Sequence, residues 1–310
     1  SAIMIDKNIF GNPPSAVIPA LLSVLMWSTV ASGFKLGLEV FATEQLLFLG
    51  TAMSWLIFFC YAAATRQLYL AAADRRLAFL LGLINPTAYY LILFAAYERL
   101  PAHIAQPINY TWAITLALLA VPVLGQRLSK RTLAGILISY LGVVLLVITA
   151  PGEAGDVDAQ GIALALVSTL LWAGYWLLNA RSRAQPASLM FWSFTMALPF
   201  VSAICWYGPG LPNLTTTALG YAVWIGAVEM GITFLLWQRA LQRAHSSAKI
   251  AQLIFVSPFL SLLLIHLLLD EDISLWAVPA LGIIVLGLVV SQQQHSGSAP
   301  ENKRPAPTER

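Results

Sequence analysis

The feature that most constrains this chain is a series of apolar runs about twenty residues long, separated by short polar loops. A helix rises 1.5 Å per residue, so roughly 20 apolar residues cross a hydrocarbon core of about 30 Å. Runs of that length fall near 16–34, 43–64, 77–97, 102–124, 132–150, 161–180, 187–207, 216–237, 247–269 and 274–291. Backbone polar groups have no water to bond in lipid, which restricts such segments to helices or a closed barrel. The expected fold class is an all-α integral membrane protein with ten transmembrane helices. Residues are 59% hydrophobic and 10% charged, against about 25% charged in soluble domains, so no separate soluble domain is expected. Residues 1–15, ending in Asn12-Pro13-Pro14, read as a cytoplasmic N-terminal segment. Residues 292–310, rich in Pro, Ser and charge, read as a disordered cytoplasmic tail. The first helix has no basic leader or small-residue cleavage site, so it is expected to stay in place.

Charge sets the topology. With the N-terminus inside, the inward segments carry Lys7, then Arg66, Arg75 and Arg76, then Arg127, Lys130 and Arg131, then Arg181 and Arg183, then Arg239, Arg243 and Lys249, then Lys303, Arg304 and Arg310. Of the 17 basic residues only Lys35 and Arg99 fall outside. Cytoplasmic loops are basic as a rule, and the segregation selects ten helices with both termini inside. The formal net charge of +3 is explained by these loops and calls for no nucleic-acid partner. Cys60 and Cys205 offer neither a disulfide framework nor metal spacing.

The chain also reads as two copies of one unit. Leu25-Met-Trp27 matches Leu170-Leu-Trp172, Gly82-Leu-Ile-Asn85 matches Gly226-Ala-Val-Glu229, and Ala105-Gln106 matches Ala251-Gln252. Residues 16–150 are the first five-helix repeat and 151–291 the second. Five is odd, so the second copy enters the membrane inverted. Leu124-Gly-Gln-Arg-Leu-Ser-Lys-Arg131 aligns with Leu269-Asp-Glu-Asp-Ile-Ser-Leu275, and the loop charge changes sign. Inverted repeats of this kind mark secondary transporters, with the substrate site at mid-membrane.

Ten helices in two inverted fives, with Gly-Gln-Arg-Leu-Ser followed by Gly135 and Gly142, and Glu271 followed by Ala280 and Gly287, resemble the drug/metabolite transporter superfamily in its EamA-type branch. The resemblance spans Ala16 to Val290. Where that family carries Gly-Glu after helix 4, this chain has Gly125-Gln126; the acid survives only as Glu271. Ile104-Ala-Gln-Pro-Ile-Asn-Tyr-Thr-Trp-Ala113 is similar to the helix-4 pattern of YddG-type aromatic amino acid exporters. The resemblance implies a bacterial inner-membrane protein that exports amino acids from the cytoplasm, with other hydrophobic compounds as a further cargo class; no cofactor is expected, and a monomer is compatible with the sequence.

The candidate substrate-binding residues are polar or aromatic groups set deep in apolar helices. Glu229 is the one acid in a predicted helix core, and an intramembrane carboxylate usually faces a cavity or a partner; it is a candidate proton carrier or ammonium receiver, against a structural hydrogen-bond role. Asn85 is its repeat equivalent. Tyr89 lies four residues after Asn85 and Tyr110 four after Gln106, each pair on one helix face. Asn109 completes the polar set on helix 4, and Gln252 is the repeat partner of Gln106. Trp27, Trp172 and Trp112 are about ten residues deep, too far in for an interfacial belt. Tyr175 and Asn179 continue the Trp172 stripe, with plain helix packing as the equal alternative. Tyr61, Tyr69, Tyr97 and Tyr207 are assigned to the belt, and His245 and Lys249 to a solvated helix end. Pro86, Pro107, Pro199 and Pro258 mark expected bends.

This inventory favours export of neutral or aromatic amino acids by alternating access. A phosphorylated cargo would need fixed cations, and none lies deep. Proton-exchange efflux of lipophilic cations is the alternative, since one deep acid in an aromatic cage also suits them. An enzyme would need a metal cluster, a second deep acid or a nucleophile with its base; none is visible. A channel could share the same lining.

Overall fold

The computed structural model describes residues 12–125, 128–151, 157–179, 181–245, 250 and 253–292. Eight helices in it are long and apolar enough to cross a membrane: α1 Pro14–Val40, α2 Thr43–Ala64, α3 Ala72–Arg99, α4 Ala102–Val123, α5 Lys130–Ile148, α6 Ala159–Asn179, α7 Pro186–Tyr207 and α8 Thr216–Arg243. Two shorter apolar helices follow, α9 Leu253–Leu269 and α10 Ala277–Ser291. No strand occurs among the described residues. The ten apolar runs therefore become ten helices. The expected N-terminal segment, apart from Asn12 and the residues that follow it, and the expected tail beyond Gln292 lie outside the described residues, as do Gln126, Arg127, Lys249 and Gln252.

Packing follows the internal repeat. α2 packs on α8 and α7 on α3; α1 packs on α8 and α6 on α3. Exchanging helices 1–5 for 6–10 converts each pair into the other, as an approximate twofold relation between the repeats requires. α5 and α10, equivalent to each other, pack together. A Cβ at Gly135 would lie 2.6 Å from the Gly287 carbonyl oxygen, and one at Gly142 would lie 2.8 Å from that of Ala280. Gly135 corresponds to Ala280 and Gly142 to Gly287, so these contacts are one contact seen twice. Small residues let helices approach closely where lipid offers no hydrophobic driving force. The Ser139 hydroxyl donates to the Ile284 carbonyl at 2.8 Å in the middle of this seam.

Two helices are interrupted at equivalent points. In α3 the turn widens over Leu83–Ala88, Asn85 takes the non-helical values φ −128°, ψ 113°, and the Thr87 hydroxyl donates to the Gly82 carbonyl five residues back. In α8 the widening covers Ala222–Gly231, Gly231 has φ −112°, ψ −90°, and the Thr233 hydroxyl donates to the Val228 carbonyl. The released Gly226 carbonyl accepts from Ser54 at 2.8 Å. Backbone freed in a membrane helix must find such a partner, and wide turns of this kind concentrate at functional sites.

The expected proline bends are only partly matched by interruptions. Pro86 lies in the α3 break. Pro107 precedes a break in helical geometry at Thr111, and Pro258 follows a tight turn over Leu253–Val256. α7 runs without interruption through Pro199. Tyr61, Tyr69 and Tyr207 are exposed, as a belt requires, whereas Tyr97 is 2% exposed and belongs to the core.

Candidate functional site

The α8 break projects Glu229 towards α3, where the hydroxyl of the fully buried Tyr90 donates to its carboxylate at 2.9 Å. Next to it, the Tyr89 hydroxyl donates to Asn109 Oδ1 at 3.2 Å and Asn109 Nδ2 donates to the Ser168 hydroxyl at 2.9 Å, linking α3, α4 and α6. On the far side Tyr110 donates to the Ser257 hydroxyl at 3.0 Å, joining α4 to α9. Each of these side chains is polar at mid-helix and held by a helix other than its own. Buried polar groups are retained when they are so satisfied.

Aromatic rings enclose the space between them. Trp172 stacks on Tyr89 with ring centres 4.6 Å apart and on Tyr175 at 5.4 Å. Trp27 meets Phe234 and Trp237 edge-on at 5.7 and 5.5 Å, and Trp112 stacks against Trp176. The result is a cavity of about 360 Å³, within the range of small-molecule sites.

Eight predicted residues line it: Trp27, Tyr89, Gln106, Asn109, Tyr110, Trp112, Trp172 and Glu229. Asn85 does not; it is buried behind the wall, and its Oδ1 has no hydrogen-bond partner among the described residues. Gln252 lies outside the described residues. Tyr97, Trp176, Phe234 and Trp237 also line the cavity, although aromatic residues in an apolar run carry no signal that separates lining from packing. Gln106 is 5% exposed and presents its amide to the cavity wall. Among the described lining residues Glu229 is the one charged group.

At one end the cavity stops at Phe34 and Tyr97, whose rings meet edge-on at 5.3 Å; the Tyr97 carbonyl accepts from Lys35 Nζ at 2.6 Å. Beyond this point two contacts tie the repeats together. Arg99 pairs with Asp158 at 3.1 Å. Glu271, from the α9–α10 loop, accepts the backbone N–H groups of Ala102 and His103 at 2.7 and 3.2 Å and meets His103 Nδ1 at 2.6 Å. Glu271 thereby caps the first turn of α4, where orphan N–H groups favour an anion. Burial raises the Glu271 carboxyl, but the His103 ring and the two N–H groups outweigh it and hold the group below its ordinary value. Asp158 is also lowered, by the bond from Arg99 and the N–H of Gln160.

A family model, described as the EamA-like transporter family, matches this chain twice, over residues 14–148 and 159–292. The chain belongs to the EamA-like transporter family. The two matched segments follow one another along the chain. An "Uncharacterized transporter" of Archaeoglobus fulgidus is 25% identical over 214 residues, covering 68% of this chain and 75% of that protein. The Bacillus subtilis "Uncharacterized transporter YdfC" is 22% identical over 271 residues, covering 86% and 87%. Dickeya dadantii "Protein PecM" is 24% identical over 220 residues, covering 69% and 72%. A solved structure superposes with a TM-score of 0.63 over 92% of this chain and 99% of that one, at 21% identity, a likeness of fold. This family member is thus a multi-pass membrane transporter, with its polar residues gathered between the repeats.

Proposed function

We propose that this EamA-family transporter exports neutral and aromatic amino acids across the bacterial inner membrane, by alternating access around the central cavity. The observation that carries this reading is the presence, in one aromatic-walled space, of one carboxylate and one buried amide, Glu229 and Gln106. Glu229 receives the cargo ammonium, the Gln106 amide donates to its carboxylate, and the rings around Trp172 take its side chain. The charge segregation in the loops supports an orientation with both termini in the cytoplasm and the Glu271 end outside. The breaks in α3 and α8 supply the points about which the repeats rock.

A second reading rests on a different feature of the same lining. No lysine, arginine or histidine is among the described residues around the cavity, so a cargo with a positive charge and no carboxylate is also matched. Counterflow in proteoliposomes separates them. Vesicles preloaded with phenylalanine, threonine or methionine should accelerate entry of the same labelled amino acid, while acceleration by tetraphenylphosphonium alone would favour the cation. Equal entry with and without preloading would indicate a pore.

A further inference from the structure

A second space of about 370 Å³ lies at the Glu271 end, lined by Arg99, His103, Ile104, Asp158, Glu271 and Asp272 among others. Its position relative to the central cavity is fixed by shared helices. On α3, Tyr97 lines the cavity and Arg99 the cleft; on α4, Gln106 lines the cavity and His103 and Ile104 the cleft. Residues two or three apart on a helix differ by about 3–4.5 Å along its axis. The two spaces therefore stand end to end, separated by less than one helical turn.

The septum between them is thin and consists of side chains. Leu100 is 1% exposed, and α6 closes onto it through Gly161, where a Cβ would lie 2.7 Å from Leu100 Cγ. Phe34 and Tyr97 complete the barrier from the cavity side. The chain itself passes from the first repeat to the second at this end, in the α5–α6 connection, whose Ala150, Pro151, Val157 and Asp158 line the cleft. Besides that connection, the Arg99–Asp158 ion pair and the Glu271 clamp on α4 join the repeats here, and both line the cleft.

We infer that this cleft is the vestibule through which cargo leaves or enters the central cavity, and that Asp158 and Glu271 are the two latches holding it shut. Each latch joins the first repeat to the second, so a movement that parts the repeats here must break both. The latches differ in strength by placement. Arg99 and Asp158 are solvent-exposed, and exposed pairs contribute little. Glu271 bonds to two backbone N–H groups and a buried ring, so it is the stronger hold. Asp272 brings a further carboxylate to the cleft.

The inference rests on the cavity being the transport site, whatever the cargo, and its test uses no cargo. In a Cys60→Ser background, Leu93→Cys places a thiol on the cavity wall while Cys205 stays buried. A membrane-impermeant maleimide is applied to proteoliposomes from the cleft side and, separately, from the other. Glu271→Gln and Asp158→Asn should each accelerate labelling from the cleft side, Glu271→Gln by about fivefold or more and Asp158→Asn by less. Asp158→Asn changes an exposed side chain and tests the latch even if the Glu271 variant folds poorly. Labelling unchanged in both variants, or accelerated only from the opposite side, overturns the assignment. A failure of amino acid counterflow leaves this readout intact.

Discussion

The Tyr90 hydroxyl donates to Glu229 across the boundary between the two repeats, at 2.9 Å. Tyr90 is fully buried, so its phenol has no water to bond instead. Tyr90→Phe removes the donor and leaves the carboxylate without its protein partner, a change that costs about 1–3 kcal/mol for a buried group. The expected outcome is a lower unfolding temperature in detergent together with weaker transport. Tyr89→Phe breaks a longer contact, 3.2 Å to a neutral amide, and should cost less in the same measurements.

Much of this arrangement is legible in the residues. The ten helices follow from apolar length, and the repeat follows from matched Trp, Gly and Gln positions, because both depend on local pattern. Tyr90 is not legible. Counting four residues from Asn85 selects Tyr89 as the neighbour on one face, but the widened turn at Leu83–Ala88 inserts extra backbone. The break buries Asn85 and turns Tyr90 towards Glu229. Tyr97 was assignable to an interfacial belt because it stands beside Glu98 and Arg99; packing of Phe34 over it puts it inside. The Glu271 clamp joins residues 168 positions apart, and no local pattern reports such a pairing.

The Glu271 clamp predicts a pH dependence of stability. Its folded pKa is depressed, so the stabilisation is fully present above the ordinary glutamate value of about 4.3 and is lost as pH falls through the lower folded value. Glu271→Gln should flatten this acid limb of the stability curve and cost about 1.5–3 kcal/mol near neutral pH, the range for hydrogen bonds to a charged group. Thermal unfolding of wild type and variant between pH 7 and 3 checks both.

The α5–α10 seam predicts opposite responses at two glycines. Gly135→Ala would drive a Cβ to 2.6 Å from the Gly287 carbonyl oxygen, whereas Gly282 faces open space. Overpacking of this kind costs about 1–3 kcal/mol, while Gly282→Ala should be neutral or stabilising by up to about 1 kcal/mol, the difference in helix propensity. Unfolding midpoints in one detergent decide it; equal effects at the two positions would contradict the seam.

Trp172 is stacked on both Tyr89 and Tyr175 at the cavity wall. Aromatic contacts are worth about 0.5–1.5 kcal/mol beyond buried area, or roughly two- to tenfold in affinity. Trp172→Phe should therefore raise the transport KM for phenylalanine more than that for threonine, with folding retained. A uniform change for both cargoes would make Trp172 a packing residue alone.

The account depends most directly on Glu229 as the group that meets the cargo. The measurement that tests it is counterflow of labelled phenylalanine in proteoliposomes, with and without an imposed pH gradient, for wild type and Glu229→Gln. The account predicts that preloading accelerates entry in wild type and that the substitution abolishes the acceleration while the protein stays folded. Gradient dependence lost with it would make Glu229 the proton-coupling site as well. Wild-type counterflow that survives Glu229→Gln unchanged would contradict the account and reduce Glu229 to the structural partner of Tyr90.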